Sequence, residues 1–168
     1  VTGAPVEHLD FSEVDYWKKL ATILDFLRAS HTPALFVCWA AQAALFRYYG
    51  IGKQPLDKKA FGIYPQHIVE SGSDITAGLG SVFPTPVSRH TTIEALDIFR
   101  LPRSLKLVAG CDRTGPALVE DRVTRFVYMF NHLEYEADTL EKEYRRDRMM
   151  RRNIARPLDH CNVASTGK

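Results

Sequence analysis

The stretch ALFVCWAAQAALFRYYG, residues 34–50, reads in two halves joined at one cysteine. Ala34 to Val37 is a short, continuously apolar run, as a strand buried on both faces would be. After Cys38 the composition turns to helix formers, and Gly50 ends the run as the residue best able to take the left-handed conformation past a helix end. The stretch therefore predicts strand, cysteine, helix. A cysteine at a helix N-terminus feels the positive end of the dipole and nearby unpaired N–H groups, which favour thiolate over thiol. The same turn can aim backbone N–H groups, that of Trp39 among them, at the oxyanion formed when a thioester or amide carbonyl is attacked. Free cysteine is equally a common core residue that behaves as a small hydrophobe. Taken alone, Cys38 leaves both roles open.

Upstream, Ser12 and Asp15 resemble a helix start, and Val14, Trp17, Leu20, Ala21, Leu24 and Leu27 recur at helical spacing. These predict a helix over about residues 13–29, ended by SHTP, because Pro33 cannot donate a backbone hydrogen bond and disfavours helix before it. Downstream, KAFGIYP, LKLVAG and VTRFVYMFN read as strands, with a hairpin-like turn at EDR. Residues 70–92 are rich in Gly, Ser, Thr and Pro and read mostly as loop. Asp138 and Glu141 form a cap-like pair opening a helix through LEKEYRRDRMMRR. Alternating strands and helices predict an α/β fold, a three-layer sheet with helices on both faces.

With 168 residues and 45% hydrophobic content, the chain suits one domain with a sizeable core, spanning 1–168. Lys plus Arg number 22 against 20 Asp plus Glu, so charge offers no argument for nucleic acid or an anionic membrane surface. Cys38, Cys111 and Cys161 are odd in number and widely spaced, which fits neither a disulfide framework nor a zinc pattern and suits a reducing cytoplasm. His160 and Cys161 are adjacent, but with no further ligand pair nearby no metal site is expected. No apolar run is long enough to span a bilayer. The opening VTGAP reads as a strand end entering a loop, so the chain is expected to begin inside a domain.

A nucleophile needs a base. In FNHLEYEADTL, His132 and Glu134 are separated by one residue at the end of an apolar strand, and positions i and i+2 of an extended segment share a side. Glu134 is thus expected to orient the imidazole, completing a nucleophile, base and orienter set with Cys38. A lone His-x-Glu is common, and a solvated strand end is the alternative.

Together, VTGAPVEHLDFSEVDYW, FVCWAAQAALFRYYGI, KKAFGIYP, PVSRHT and NHLEYEADTLEKEYRRD resemble, in order, the homoserine O-acyltransferases of methionine biosynthesis, the homoserine transsuccinylase family. The resemblance implies a class I glutamine-amidotransferase-like fold and a ping-pong reaction. Cys38 would take the acyl group from acyl-coenzyme A, and His132, oriented by Glu134, would act as base on the hydroxyl of L-homoserine. Lys59, Ser88 and Arg146 fall at substrate-contact positions, and Glu7 at the position that separates acyl donors. By resemblance Glu goes with acetyl-coenzyme A and Gly with succinyl-coenzyme A, which agrees with the repulsion a carboxylate would exert on a succinyl tail. Arg146 lies three residues after Glu143, so the two share a helix face and are expected to pair. No permanent cofactor, nucleic acid or membrane partner is implied, and the oligomeric state to expect is a homodimer.

The chain also departs from the family. The resemblance leads one to expect a segment before TGAP and a C-terminal tail that these 168 residues do not include, and the family's GHPEYD is NHLEYE here, which puts the aim of His132 in question. The alternatives are a serine O-acyltransferase, a cysteine amidohydrolase of the same fold, or a non-catalytic truncated member. Val37, Trp39 and Ala40 around Cys38 speak against the amidohydrolase, which usually has glycines there.

Overall fold

The computed structural model of the chain describes residues 1–101, 103–150 and 152–159. Its elements run α1 (Trp17–Ala29), β1 (Ala34–Val37), α2 (Trp39–Tyr49), β2 (Gln54–Ile68), β3 (Val82–Thr92), α3 (Ala95–Phe99), β4 (Leu105–Cys111), β5 (Gly115–Asp121), β6 (Phe126–Met129) and α4 (Thr139–Met149). Six strands form one sheet in the order β1-β6-β5-β4-β2-β3, with β1 parallel to β6 and every other pairing antiparallel.

The strand, cysteine, helix expectation holds, and its ends are set as the residues dictate. Gly50 takes φ 72°, and its N–H closes α2 on the Phe46 carbonyl at 2.9 Å. The alanine-rich face of α2 lets the helix lie close to the sheet. Ala40, Ala43, Ala44 and Leu45 are buried in one cluster with Phe36, Phe126, Tyr128 and Val119, and with Leu20 and Leu24 of α1. Phe36 stacks on Tyr128 at 5.4 Å, across the register that pairs them. Each such fully buried aromatic side chain contributes roughly 1.5–3 kcal/mol. A second cluster of Val108, Ala109 and Leu118 packs with Phe83, Val127 and Met129.

Several expectations need correction. β1 is not buried on both faces: it lies at an end of the strand order, and Leu35 is 51% exposed. The first helix begins only at Trp17, after a separate 3-10 turn at Phe11–Glu13 in which the Asp10 N–H donates to the Glu13 carboxylate. Its end at SHTP is as expected, with His31 at φ 52° before Pro33. Asp138 does precede α4, but its side chain makes no cap bond and pairs with Lys142 at 2.7 Å. Glu141 pairs with Arg145.

The largest departure is β3, in the region expected to be loop. Pro84 and Pro86 stand two apart, so both missing N–H groups lie on one edge, and β3 is an outer strand that can leave one edge without a partner strand. That edge has another use. The Pro86 carbonyl accepts from His132 N–H at 2.9 Å, and the Thr85 hydroxyl accepts from the Asn131 side chain at 2.7 Å. The sheet therefore curls until the outer strand β3 meets the segment after β6, which brings PVSRH beside NHLE. No described helix is long and apolar enough to cross a membrane.

Candidate active site

Cys38 sits between β1 and α2 at φ 54°, ψ −122°, a region that residues with a side chain avoid at a cost of about 1–3 kcal/mol. Pairing on both sides holds it there. Its N–H donates to Met129 at 2.7 Å, extending the β1–β6 ladder, while its carbonyl accepts from Ala41 at 3.0 Å and starts the helix. Gly3 lies against the turn, where a Cβ would stand 3.1 Å from the Cys38 Cβ and 3.6 Å from its sulfur. A side chain at position 3 would crowd this side of Cys38.

The expected thiolate is not what the surroundings favour. Burial, followed by the Glu7 carboxylate, pushes the Cys38 thiol up to about 12; Arg89 and the hydrogen bond from Trp39 N–H act in the opposite sense but do not prevail. The Trp39 N–H, expected to face an oxyanion, here donates to the sulfur itself, but desolvation costs the charged form more than this bond returns. Cys38 rests as a thiol, with its Sγ 4.0 Å from Glu7 Oε1. Glu7 is itself held in place. Its Oε2 accepts from the His90 N–H at 2.5 Å, and Lys53 Nζ donates to the carbonyls of Glu7 and Leu9.

His132 and Glu134 do pair, with Nδ1 and Oε1 2.7 Å apart. The reason differs from strand alternation, since β6 ends at Met129 and both residues lie in the turn beyond it. With Nδ1 engaged by the carboxylate, Nε2 is the nitrogen left for proton transfer. The ring is only 8% exposed and stacks on Tyr135 at 4.3 Å. Asn131, in place of the family's glycine, does not loosen this turn. Fully buried, it accepts from Arg89 Nη1 at 2.5 Å as well as donating to Thr85. Arg89 also donates to the carbonyls of Thr114 and Pro116, and burial pulls its guanidinium down to about 10.

Glu7, Cys38, Lys59, Ser88, His132, Glu134 and Arg146 all line one cavity of about 1060 Å³. One expected pair is absent: Arg146 does not bond Glu143. Glu143 is taken by Ser88 Oγ at 2.6 Å, by the Tyr135 hydroxyl and by Lys59 at 3.6 Å. Arg146 instead donates Nε and Nη2 to Asp147 Oδ1 at 3.1 and 3.0 Å. Asp147 also receives Lys59 at 3.2 Å on its other oxygen. Burial raises the Asp147 carboxyl, but the bonds from Arg146 and Lys59 outweigh it and hold the group below the usual carboxylate range. Lys59 Nζ further lies 3.9 Å from the Phe61 ring centroid.

Gly3, Lys53, Tyr135 and Asp147 line this cavity but gave no distinct signal in the sequence, although Asp147 stands in the EYRRD run. Among the described residues no three potential metal ligands come together. His160 and Cys161 lie outside the described residues.

A strained cysteine between strand and helix, beside a histidine–carboxylate pair on a curled α/β sheet, defines a protein of the glutamine-amidotransferase-like fold. A glutamine amidotransferase from Thermotoga maritima superposes with TM-score 0.71 at 15% identity, over 89% of this chain and 62% of that one. A glutamine amidotransferase from Methylobacillus flagellatus gives 0.64 at 12% identity, over 84% and 53%. At these identities the likeness establishes the fold alone. The chain belongs to the homoserine O-succinyltransferase family, whose model matches residues 1–164. It is 41% identical to homoserine O-acetyltransferase 1 of Ilyobacter polytropus over 160 residues, which is 95% of this chain and 53% of that protein. Homoserine O-acetyltransferase of Synechococcus elongatus is 44% identical over the same shares. The chain thus spans about half the length of the curated relatives it matches.

Proposed function

We propose that the chain carries the acyl-transfer centre of a homoserine O-acyltransferase, working through a Cys38 thioester. What carries this reading is the convergence in one cavity of Cys38 on its strained turn, the His132–Glu134 pair and the Lys59–Arg146 cluster, in a chain whose relatives are named for that activity. Cys38 attacks the acyl carbonyl of acyl-coenzyme A as its proton passes to His132 Nε2. The carbon–sulfur bond to coenzyme A breaks, and the departing thiolate takes that proton. Trp39 N–H donates to the oxyanion. The homoserine hydroxyl then gives its proton to His132 and attacks the thioester, so Cys38 leaves and is reprotonated. A resting thiol suits this order, because the proton moves only once an acceptor carbonyl occupies the cavity. Methionine biosynthesis in the cytoplasm is the setting that goes with the reaction.

Glu7 favours acetyl-coenzyme A as donor. Its carboxylate, 4.0 Å from the nucleophilic sulfur, occupies the space and the charge that a succinyl tail would need. The test is intact mass after brief exposure to acetyl- or succinyl-coenzyme A, followed by L-homoserine or L-serine. An acetyl adduct on Cys38 that homoserine removes is expected. A folded sample that takes no adduct from either donor overturns the proposal, and removal by serine alone reassigns the acceptor.

A further inference from the structure

Asp147 lies in the last turn of α4 with its side chain only 2% exposed, yet it borders the cavity. Its two oxygens gather cations from three separate segments. Lys59 of β2 donates to Oδ2 at 3.2 Å, whereas Arg146 of α4 and Arg152 beyond the helix donate to Oδ1 at 3.0 and 3.3 Å. The Arg152 N–H also donates to the Asp147 carbonyl at 3.0 Å, which folds the chain back over the helix end. Among the described residues, this cluster sets three cations against the carboxylates of Asp147 and Glu143. Arg146 spends Nε and Nη2 on Asp147, and among the described residues Nη1 makes no bond, which leaves its donors for a ligand.

We infer that Asp147 is a positioning residue, which fixes Lys59 and Arg146 so that they receive the α-carboxylate of the amino-acid acceptor. The inference rests on the acyl-transfer reading above and adds to it the residue that builds the acceptor subsite. A lysine ammonium and an arginine fork projecting freely into a cavity of about 1060 Å³ would each lose rotamer freedom on binding. A buried carboxylate that already holds both has met that cost in the folded state. Held in place, the ammonium and the guanidinium meet a ligand carboxylate with charge-assisted hydrogen bonds that a neutral amide does not match, so the subsite selects an acid over its amide.

Titration calorimetry of L-homoserine and of L-homoserine amide into the chain, with no acyl donor present, tests this. The unsubstituted chain is expected to bind the acid at least tenfold more tightly than the amide. Asp147→Asn is expected to weaken the acid by tenfold or more and the amide by less than threefold. Asp147→Glu keeps the charge but moves it by one methylene; a threefold to fivefold loss is expected, and this variant serves if the Asn variant does not fold by circular dichroism. Unchanged acid affinity in either folded variant, no preference for acid over amide, or no binding to the unsubstituted chain overturns the inference. Acetylation of Cys38 in the unsubstituted chain, on exposure to acetyl-coenzyme A, is followed separately by intact mass. It reports on the reaction itself, so a failure of the function and a failure of the subsite are distinguishable.

Discussion

Replacing Glu7 by Gln removes one charge from beside the Cys38 sulfur while keeping the size of the side chain. The sulfur and Glu7 Oε1 are 4.0 Å apart. At an effective dielectric constant of about 20, two unit charges at that separation repel by about 4 kcal/mol, equivalent to roughly 3 pK units. Glu7 is partly open to solvent, so screening reduces this, and a fall of about 1–2 units in the Cys38 thiol is expected. Burial, the larger cause of the rise to about 12, is untouched by the substitution, so the thiol should remain above its ordinary value. Alkylation by iodoacetamide, followed by intact mass from pH 6 to 9, reads the thiolate fraction directly. Both proteins should gain about tenfold in rate per pH unit, with Glu7→Gln about 3–15-fold faster throughout, because the gain in thiolate is partly offset by the lower nucleophilicity of a less basic thiolate. Glu7→Ala distinguishes charge from access, because it removes the same charge but opens more room. If charge governs, the two variants react alike. A Gln variant no faster than the parent, or an Ala variant far faster than Gln, would refute the electrostatic account.

Ala at His132 is expected to slow acyl transfer by about 10²–10⁴-fold as measured by coenzyme A release, with Glu134→Gln less severe because the base survives without its orienter. Gly3→Ala places a methyl 3.1 Å from the Cys38 Cβ and should slow Cys38 acylation at least several-fold while moving the melting temperature little. Asp147→Asn should lose stability in an acid-dependent way. The folded carboxyl is held below its unfolded value of about 3.9, so its contribution is full above that pH and is lost as pH falls through the lower folded value. Melting temperatures of parent and variant should therefore differ at pH 6 and converge toward pH 2; a constant gap would count against the ion-pair account.

The segment from Ala34 to Gly50 was legible because its signals are local and agree. An apolar run, helix formers and a terminal glycine each specify backbone conformation within a few residues. Cys38, His132 and Glu134 stood out for a related reason, since ordered motifs keep residue types recognisable even where their geometry is hidden, and the structure adds that the three line one cavity. β3 was not legible. Its prolines, threonines and serines look like loop locally, and it becomes a strand only because β2 offers a pairing edge and the curled sheet lets the Pro86 carbonyl serve His132.

Charge partners behaved in the same way. Helical spacing allows Arg146 to reach Glu143, but Ser88, Tyr135 and Lys59 arrive from other elements and take that carboxylate first. Arg146 then turns to Asp147, beside it in sequence. The sequence by itself determined the α/β class, the strand–cysteine–helix turn and the residue types available for chemistry, because these follow from local propensity and motif order. Only the tertiary structure decided which carboxylate holds which cation, which edge of the sheet aims His132, and that Cys38 rests as a thiol. Each of these depends on desolvation and on contacts between segments far apart in the chain, which periodicity and spacing do not encode.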